Sequence, residues 1–167
     1  MFILNNVSAS VGSVLKPAGF DAAQGIISVA YLKDATDPDW KDGKDMKAWN
    51  AFMDKYAPDV DRSDPSTVYA YTVARTMVQV LKQCSNDLTR ANIMRQAANL
   101  KSLDPLMLLP GISVNTSSTD FAPIRLLQLV RFEGIDLETV VSPPAPDLRP
   151  VRTSWLSSLP RLAPEDF

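Results

Sequence analysis

The run Ile26-Ile27-Ser28-Val29-Ala30-Tyr31-Leu32 follows Gly25 and gives way to the polar turn Lys33-Asp34-Ala35-Thr36-Asp37-Pro38. It is apolar on both faces instead of alternating, which predicts a strand covered on both sides, as in an α/β sheet. Upstream, Phe2-Ile3-Leu4 predicts a shorter strand closed by the turn-prone pair Asn5-Asn6. The small-residue stretch Val7–Gly12 then leads to Pro17 and Gly19.

Downstream of the polar turn the period changes from two to nearly four. Met46, Trp49, Met53 and Tyr56 recur at helical steps, with Lys47, Asn50, Asp54 and Lys55 on the other side. Asp64-Pro65 opens a second helix: an N-cap acceptor followed by proline at the first position, where no N–H is missed. Two apolar stripes run along it, Tyr71, Ala74, Val78, Leu81 and Ala70, Val73, Met77, Val80, so it reads as mostly buried through about residue 83. A third helix starts at the N-cap Thr89, where Leu88 and Ile93 have the spacing of a hydrophobic staple. Gly111–Asn115 and a long run from Ile124 to Phe132 read as a strand pair around the turn at 116–120. The order β-β-α-α-α-β-β predicts a layered α/β or α+β domain.

Proline placement ends the folded part. Six of the 13 prolines fall after residue 142, and each fixes φ and lacks a donor. Residues 135–167 therefore read as an extended or disordered tail.

Composition narrows the chemistry. The 167 residues hold 17 Lys+Arg against 19 Asp+Glu, a formal charge of −2, with no basic footprint for nucleic acid. Histidine is absent, which removes Ser/His/Asp and Cys/His catalysis and His-ligated zinc. The lone Cys84 excludes an internal disulfide and any Cys-based cluster, and reads as a small buried hydrophobe. No apolar run approaches the roughly 18 residues of a membrane span. The start Met1-Phe2-Ile3-Leu4-Asn5-Asn6 lacks the basic n-region of a signal peptide.

The acids cluster without forming a metal site. Asp34, Asp37, Asp39, Asp42 and Asp45 read as a solvated turn and helix-start charges. Gly43 is present, but no closing glutamate follows, which argues against a calcium loop. Asp59 and Asp61 read as loop solubility, beside the capping Asp64. No cofactor is expected. Val7–Ser13 lacks a phosphate-cradle signature, yet it lies just past a strand's C-terminal end, where α/β sheets place ligands.

The ordered residues resemble a known family. The run Asn5–Gly19 precedes Gln24-Gly25-Ile26-Ile27, Tyr31-Leu32-Lys33-Asp34 and Asp37-Pro38-Asp39-Trp40. Lys55-Tyr56, Tyr69-Ala70-Tyr71-Thr72, Leu81-Lys82-Gln83-Cys84, Leu88-Thr89-Arg90, Leu108–Ile112 and Gln128–Gly134 follow in the same order. Together they resemble the C-terminal portion of the ABC-transporter substrate-binding proteins of the leucine-binding (branched-chain amino acid, amide and aromatic acid) family, over about residues 2–134. The resemblance implies a partial type I periplasmic-binding fold, with parts of both lobes and the hinge crossings.

By resemblance, residues 1–32 end the second lobe and 33–43 form a hinge crossing. Residues 44–110 are the helical part of the first lobe, 111–134 the returning hinge strand pair, and 135–167 a divergent tail. It implies a non-catalytic protein that binds a small solute, an amino acid or aromatic acid, and hands it to an ABC permease. The ligand contacts carried over are Asn5, Asn6, Val7 and Ser8, with Tyr69 and Tyr71 as aromatic candidates. Asn6 is neutral where some relatives place an acid for a ligand ammonium, which leaves room for a carboxylate or aromatic ligand. The family's N-terminal part has no counterpart here, so the resemblance implies a truncated or frame-shifted product. Its location would be the periplasm by resemblance and the cytoplasm as encoded. The alternative reading is a non-catalytic interaction module that dimerises through unpaired sheet edges.

Overall fold

The computed structural model describes residues 2–103 and 107–134, and the backbone of 136–139. Helical turns over Val7–Ala9 and Val11–Leu15 lead into two short helices, α1 (Lys16–Ala18) and α2 (Phe20–Ala23). Strand β1 (Ile27–Ala30) follows. Three longer helices come next: α3 (Lys44–Tyr56), α4 (Pro65–Gln83) and α5 (Arg90–Ala97). The chain then returns in β2 (Gln128–Glu133) and β3 (Asp136–Thr139).

The described sheet is antiparallel and three-stranded, in the order β1-β2-β3. Its register sets Ile27 opposite Arg131 and Ala30 opposite Gln128, then Val130 opposite Thr139 and Glu133 opposite Asp136. On the free edge of β1, Ile27 N–H donates to Phe2 O and Leu4 N–H donates to Ile27 O, both at 2.9 Å. Residues 2–4 thus contribute one parallel bridge and not the full strand expected. Only Ser28 of β1 is fully buried, its Oγ donating to Leu4 O at 3.1 Å; Ile27, Val29 and Ala30 are half-buried, so the strand is less covered than its apolar run suggested.

β2 alternates as a one-sided strand should. Gln128, Val130 and Phe132 are buried, whereas Leu129, Arg131 and Glu133 are exposed. Gly134, at φ 67°, takes the left-handed turn after β2 that an L side chain would resist. Gln24 locks this corner: its Nε2 donates to Gly134 O and its Oε1 accepts from Gly134 N–H, both at 2.9 Å. β3 lies within residues read from sequence as tail, so Asp136–Thr139 is ordered backbone. The tail expected beyond residue 139 lies outside the described residues.

The helices form where the capping residues placed them. Asp64 Oδ1 accepts from Ser66 N–H at 2.9 Å, and Thr89 Oγ1 accepts from Asn92 N–H at 3.4 Å. Leu88 is exposed, however, and the α5 start rests on these polar caps without the expected staple. Met46, Trp49 and Met53 of α3 are buried against Val68 and Tyr71 of α4 and Met107, while Tyr56 is exposed. A second cluster joins Val80 and Cys84 to Leu100, Leu108, Leu109, Ile112 and Val114. Gly111–Asn115 fills this core as irregular chain, not as a strand. Thr116 ties it down, its Oγ1 donating to Ala97 O at 2.6 Å and accepting from Leu100 N–H at 2.9 Å.

α4 departs most from expectation. Val68, Tyr71, Thr72 and Val80 are buried, but Tyr69, Val73, Met77, Val78 and Leu81 each stand 40–53% exposed. One apolar face of the helix is covered and the other is not.

A third cluster is separate from these two. Val11, Leu15, Ala23 and Phe132 pack with Leu4, Phe20 and Ile26, fixing the N-terminal turns onto the sheet. The molecule therefore has a sheet-and-turn unit and a helical unit, joined through residues 31–43 and the return to β2. Leu109 N–H donates to Tyr31 O and Lys33 N–H to Met107 O, both at 2.9 Å, stitching the first joint to the helical unit.

Candidate functional site

A cleft of about 520 Å³ opens where these two units meet, at the C-terminal end of β1. One wall is the N-terminal turns, through Asn6, Val7, Ser10, Ser13 and Val14. Its floor is the exit of β1, from Val29 to Asp34. The start of α4 closes the far side with Asp64, Pro65, Ser66 and Tyr69.

Local chemistry fixes each wall. Asn5 Oδ1 accepts from Ser8 N–H at 2.9 Å and Ser10 Oγ accepts from Ser13 N–H at 3.2 Å, so two short side chains shape the turns. The cluster of Val11, Leu15 and Phe132 then holds that wall against the sheet. On the floor, Lys33 Nζ pairs with Asp45 and lies 5.0 Å from the centre of the Trp40 ring. Asp34 Oδ1 accepts from Thr36 N–H at 2.8 Å and Thr36 Oγ1 at 2.6 Å. Burial pushes the Tyr31 phenol above its ordinary pKa, and the neighbouring Tyr69 pushes it the same way. The Tyr31 hydroxyl can both donate and accept a hydrogen bond.

The residues singled out from sequence separate here. Asn6, Val7 and Tyr69 come together in the cleft. Asn5 and Ser8 do not line it; they stabilise the turn that presents Asn6 and Val7. Tyr71 is turned into the helical core, 6% exposed, with its ring 5.2 Å from Phe52, and does not line the cleft. Ser13 lines it too, within the Val7–Ser13 stretch read from sequence as a ligand loop, whereas Tyr31, Asp34, Asp64 and Ser66 line it and sequence reasoning had not placed them there. Asp64 was visible only as a cap and Asp34 only as a polar turn. For Tyr31 no sequence signal separated a cleft residue from the rest of its apolar run.

Among the described residues no group of three or more His, Cys, Asp and Glu side chains is placed to hold a metal ion. No helix among them is long and apolar enough to cross a membrane. The cleft offers hydroxyls, one amide, carboxylates, tyrosine rings and aliphatic walls, a set suited to holding a small molecule by hydrogen bonds and apolar contact.

The chain superposes, with a TM-score of 0.69 over 84% of its length, on the crystal structure of a branched chain amino acid ABC transporter from Thermus thermophilus with bound valine. Sequence identity is 12% and the match spans 38% of that chain, so the likeness establishes architecture: the protein is α/β and carries part of a type I periplasmic-binding fold. No family model and no curated protein matches the sequence.

Proposed function

We propose that the chain is part of the solute-binding component of an ABC importer, and that its cleft holds an amino acid or another small solute without chemical change. The observation that carries this reading is the position of the cleft. It lies at the C-terminal end of β1, between the two units of a partial type I periplasmic-binding fold. Asn6, presented by the Asn5-capped turn, supplies a neutral donor and acceptor, and Tyr69 an aromatic edge. The absence of histidine from the chain removes the imidazole-based triads and His-ligated zinc from the readings of this cleft. In this reading residues 33–43 act as a hinge crossing, the permease is the downstream partner and the periplasm is the place of action.

Calorimetric titration with leucine, valine, a small amide and benzoate tests the proposal. At least one ligand is expected to bind, and both Asn6→Ala and Tyr69→Ala are expected to weaken it about tenfold, the effect of a lost interaction of about 1.4 kcal/mol. Silence across the panel, or variants that leave affinity unchanged, would contradict it.

The uncovered face of α4 favours a second reading, an interaction module. Tyr69, Val73, Met77, Val78 and Leu81 form an exposed apolar strip, and a second copy of the chain could cover it. Light scattering would then show a dimer that Met77→Glu dissociates; a monomer at all concentrations would oppose this reading.

A further inference from the structure

The apolar strip of α4 and the last residues of the chain are complementary. On that helix Tyr69, Val73, Met77, Val78 and Leu81 are exposed. Its charged residues are Arg75 and Lys82, both exposed, and from Pro65 to Gln83 there is no acid. A contiguous apolar strip of this kind marks a surface that another segment covers.

Charge separates the candidates for that segment. A second copy meeting the strip across a two-fold axis presents the same surface to itself. Arg75 and Lys82 of each copy would then meet a strip that carries cations and no anions, and like charges across an interface oppose pairing. A covering segment that combines apolar groups with acids suits the strip better.

The sequence of residues 140–167, outside the described residues, supplies both. Leu156, Leu159 and Leu162 recur at every third position, with Pro160 and Pro164 close by, and Glu165 and Asp166 follow. Every third residue is the period of a polyproline II helix, which would bring the three leucines to one edge over about 19 Å. From Tyr69 to Leu81 the α4 strip is about 18 Å long. The two lengths match. The connecting stretch, 140–155, contains Pro143, Pro144, Pro146 and Pro150, and a Pro-rich linker of that length spans up to about 50 Å. A domain of this size has a radius of gyration of about 14 Å, so the leucines can reach α4 whichever way the chain leaves Thr139.

We propose that residues 155–167 dock on the exposed strip of α4 in the same molecule. Leu156, Leu159 and Leu162 cover the strip between Tyr69 and Leu81, running in the direction that brings Glu165 and Asp166 to Lys82 and away from Asp64. The chain then closes its own uncovered helix face, and the strip is no longer open to a second copy. The proposal is independent of what the cleft holds.

A nitroxide spin label on the full chain tests it. Ser158→Cys places a thiol in the segment, off the edge formed by the leucines, and the buried Cys84 stays unlabelled in the native protein. In nitrogen-15 spectra the amide peaks of Val73, Met77 and Leu81 are expected to fall at least twofold against a reduced-label control, and those of α2 to stay unchanged. Met77→Glu, on the exposed strip, and Leu159→Glu, outside all three core clusters, are each expected to restore the α4 peaks with the rest of the spectrum in place. A mixture of spin-labelled chains at natural isotope abundance with unlabelled nitrogen-15 chains should show no loss. Undiminished α4 peaks, losses spread evenly over the molecule, or losses that both variants leave unchanged would overturn the proposal. Losses in the mixture equal to those in the single-chain sample would overturn it too, because the covering segment would then belong to a second copy.

Discussion

Replacing Phe132 by alanine should loosen the cleft without touching it. Phe132 is 0% exposed, in the cluster that also holds Val11, Leu15 and Ala23, and its ring lies 5.6 Å from that of Phe20. Truncating a buried phenylalanine costs about 3–5 kcal/mol, combining lost transfer energy with the cavity left behind. The neighbouring aromatic ring contributes about 1 kcal/mol of that. Val11 and Leu15 sit on short turns that can partly collapse into the gap, which favours the lower end, about 3 kcal/mol. For a domain worth about 5–15 kcal/mol that is a large fraction. The backbone bonds of Phe132, from its N–H to Ile26 O and from Gly25 N–H to its O, both 2.9 Å, survive the change.

Urea unfolding followed by circular dichroism gives the magnitude, and amide exchange gives the location. Exchange is expected to accelerate first at residues 11–23, the wall carrying Ser13 and Val14, and least in α3. Met77→Ala, on the exposed face of α4, should stay within about 0.5 kcal/mol as a control. A loss below about 1 kcal/mol for Phe132→Ala, or exchange accelerated evenly throughout, would refute the view that this cluster fixes the N-terminal turns to the sheet.

Other consequences are local. Asp64→Ala removes the cap of the 19-residue helix α4 and should cost about 1 kcal/mol by urea midpoint, while Asp64→Asn should cost almost nothing. Cys84 is 3% exposed, so its thiol should react with a thiol reagent only at the rate of unfolding; rapid labelling of the native protein would contradict its place in the core. Stability should fall in acid. Hydrogen bonds from Ser63 to Asp61 and from Thr89 to Asp87, and from Arg125 and Ala122 to Asp120, lower these three carboxyl pKa values. The folded chain then binds fewer protons than the unfolded one; the contribution is full above the ordinary carboxylate pKa of about 4 and is lost as pH falls through the lowered values. The urea midpoint should be flat above about pH 5 and decline below it, less steeply in Asp87→Asn; a midpoint that rises on acidification would contradict this.

What the sequence disclosed follows from how local each cause is. Asp64-Pro65 and Thr89 fix helix starts through bonds two or three residues away, and α4 and α5 begin there. The stripe of Met46, Trp49, Met53 and Tyr56 is likewise written at helical spacing, and its first three residues are buried while Tyr56, at the helix end, is exposed. Pairing of β1 with β2 joins Ile27 to Arg131 across more than a hundred residues, and no local pattern states a partner. The apolar residues of Gly111–Asn115 are buried, as a strand's would be, but the segment is held by Thr116 and its neighbours instead of a ladder.

The largest misreading was α4. Two apolar stripes predict a mostly buried helix, yet sequence cannot say whether the surface that covers the second stripe is supplied by these residues. The site was half legible for a related reason. Asn6 and Val7 follow a short apolar run and lie beyond a bridge to β1, as ligand loops do, whereas Tyr31, Asp34 and Asp64 become neighbours only when α4 folds over the end of β1. Tyr69 and Tyr71, two residues apart on one helix, face different ways: Tyr69 into the cleft and Tyr71 into the core. Sequence gave both the same standing.

The most direct test of a solute-binding cleft is a map of where a solute acts. With the chain labelled in nitrogen-15, leucine should shift the amide resonances of Asn6, Val7, Ser13, Tyr31, Asp34, Ser66 and Tyr69 in a saturable way and leave α5 still. Shifts gathered along the exposed face of α4, or none at any leucine concentration, would contradict the account.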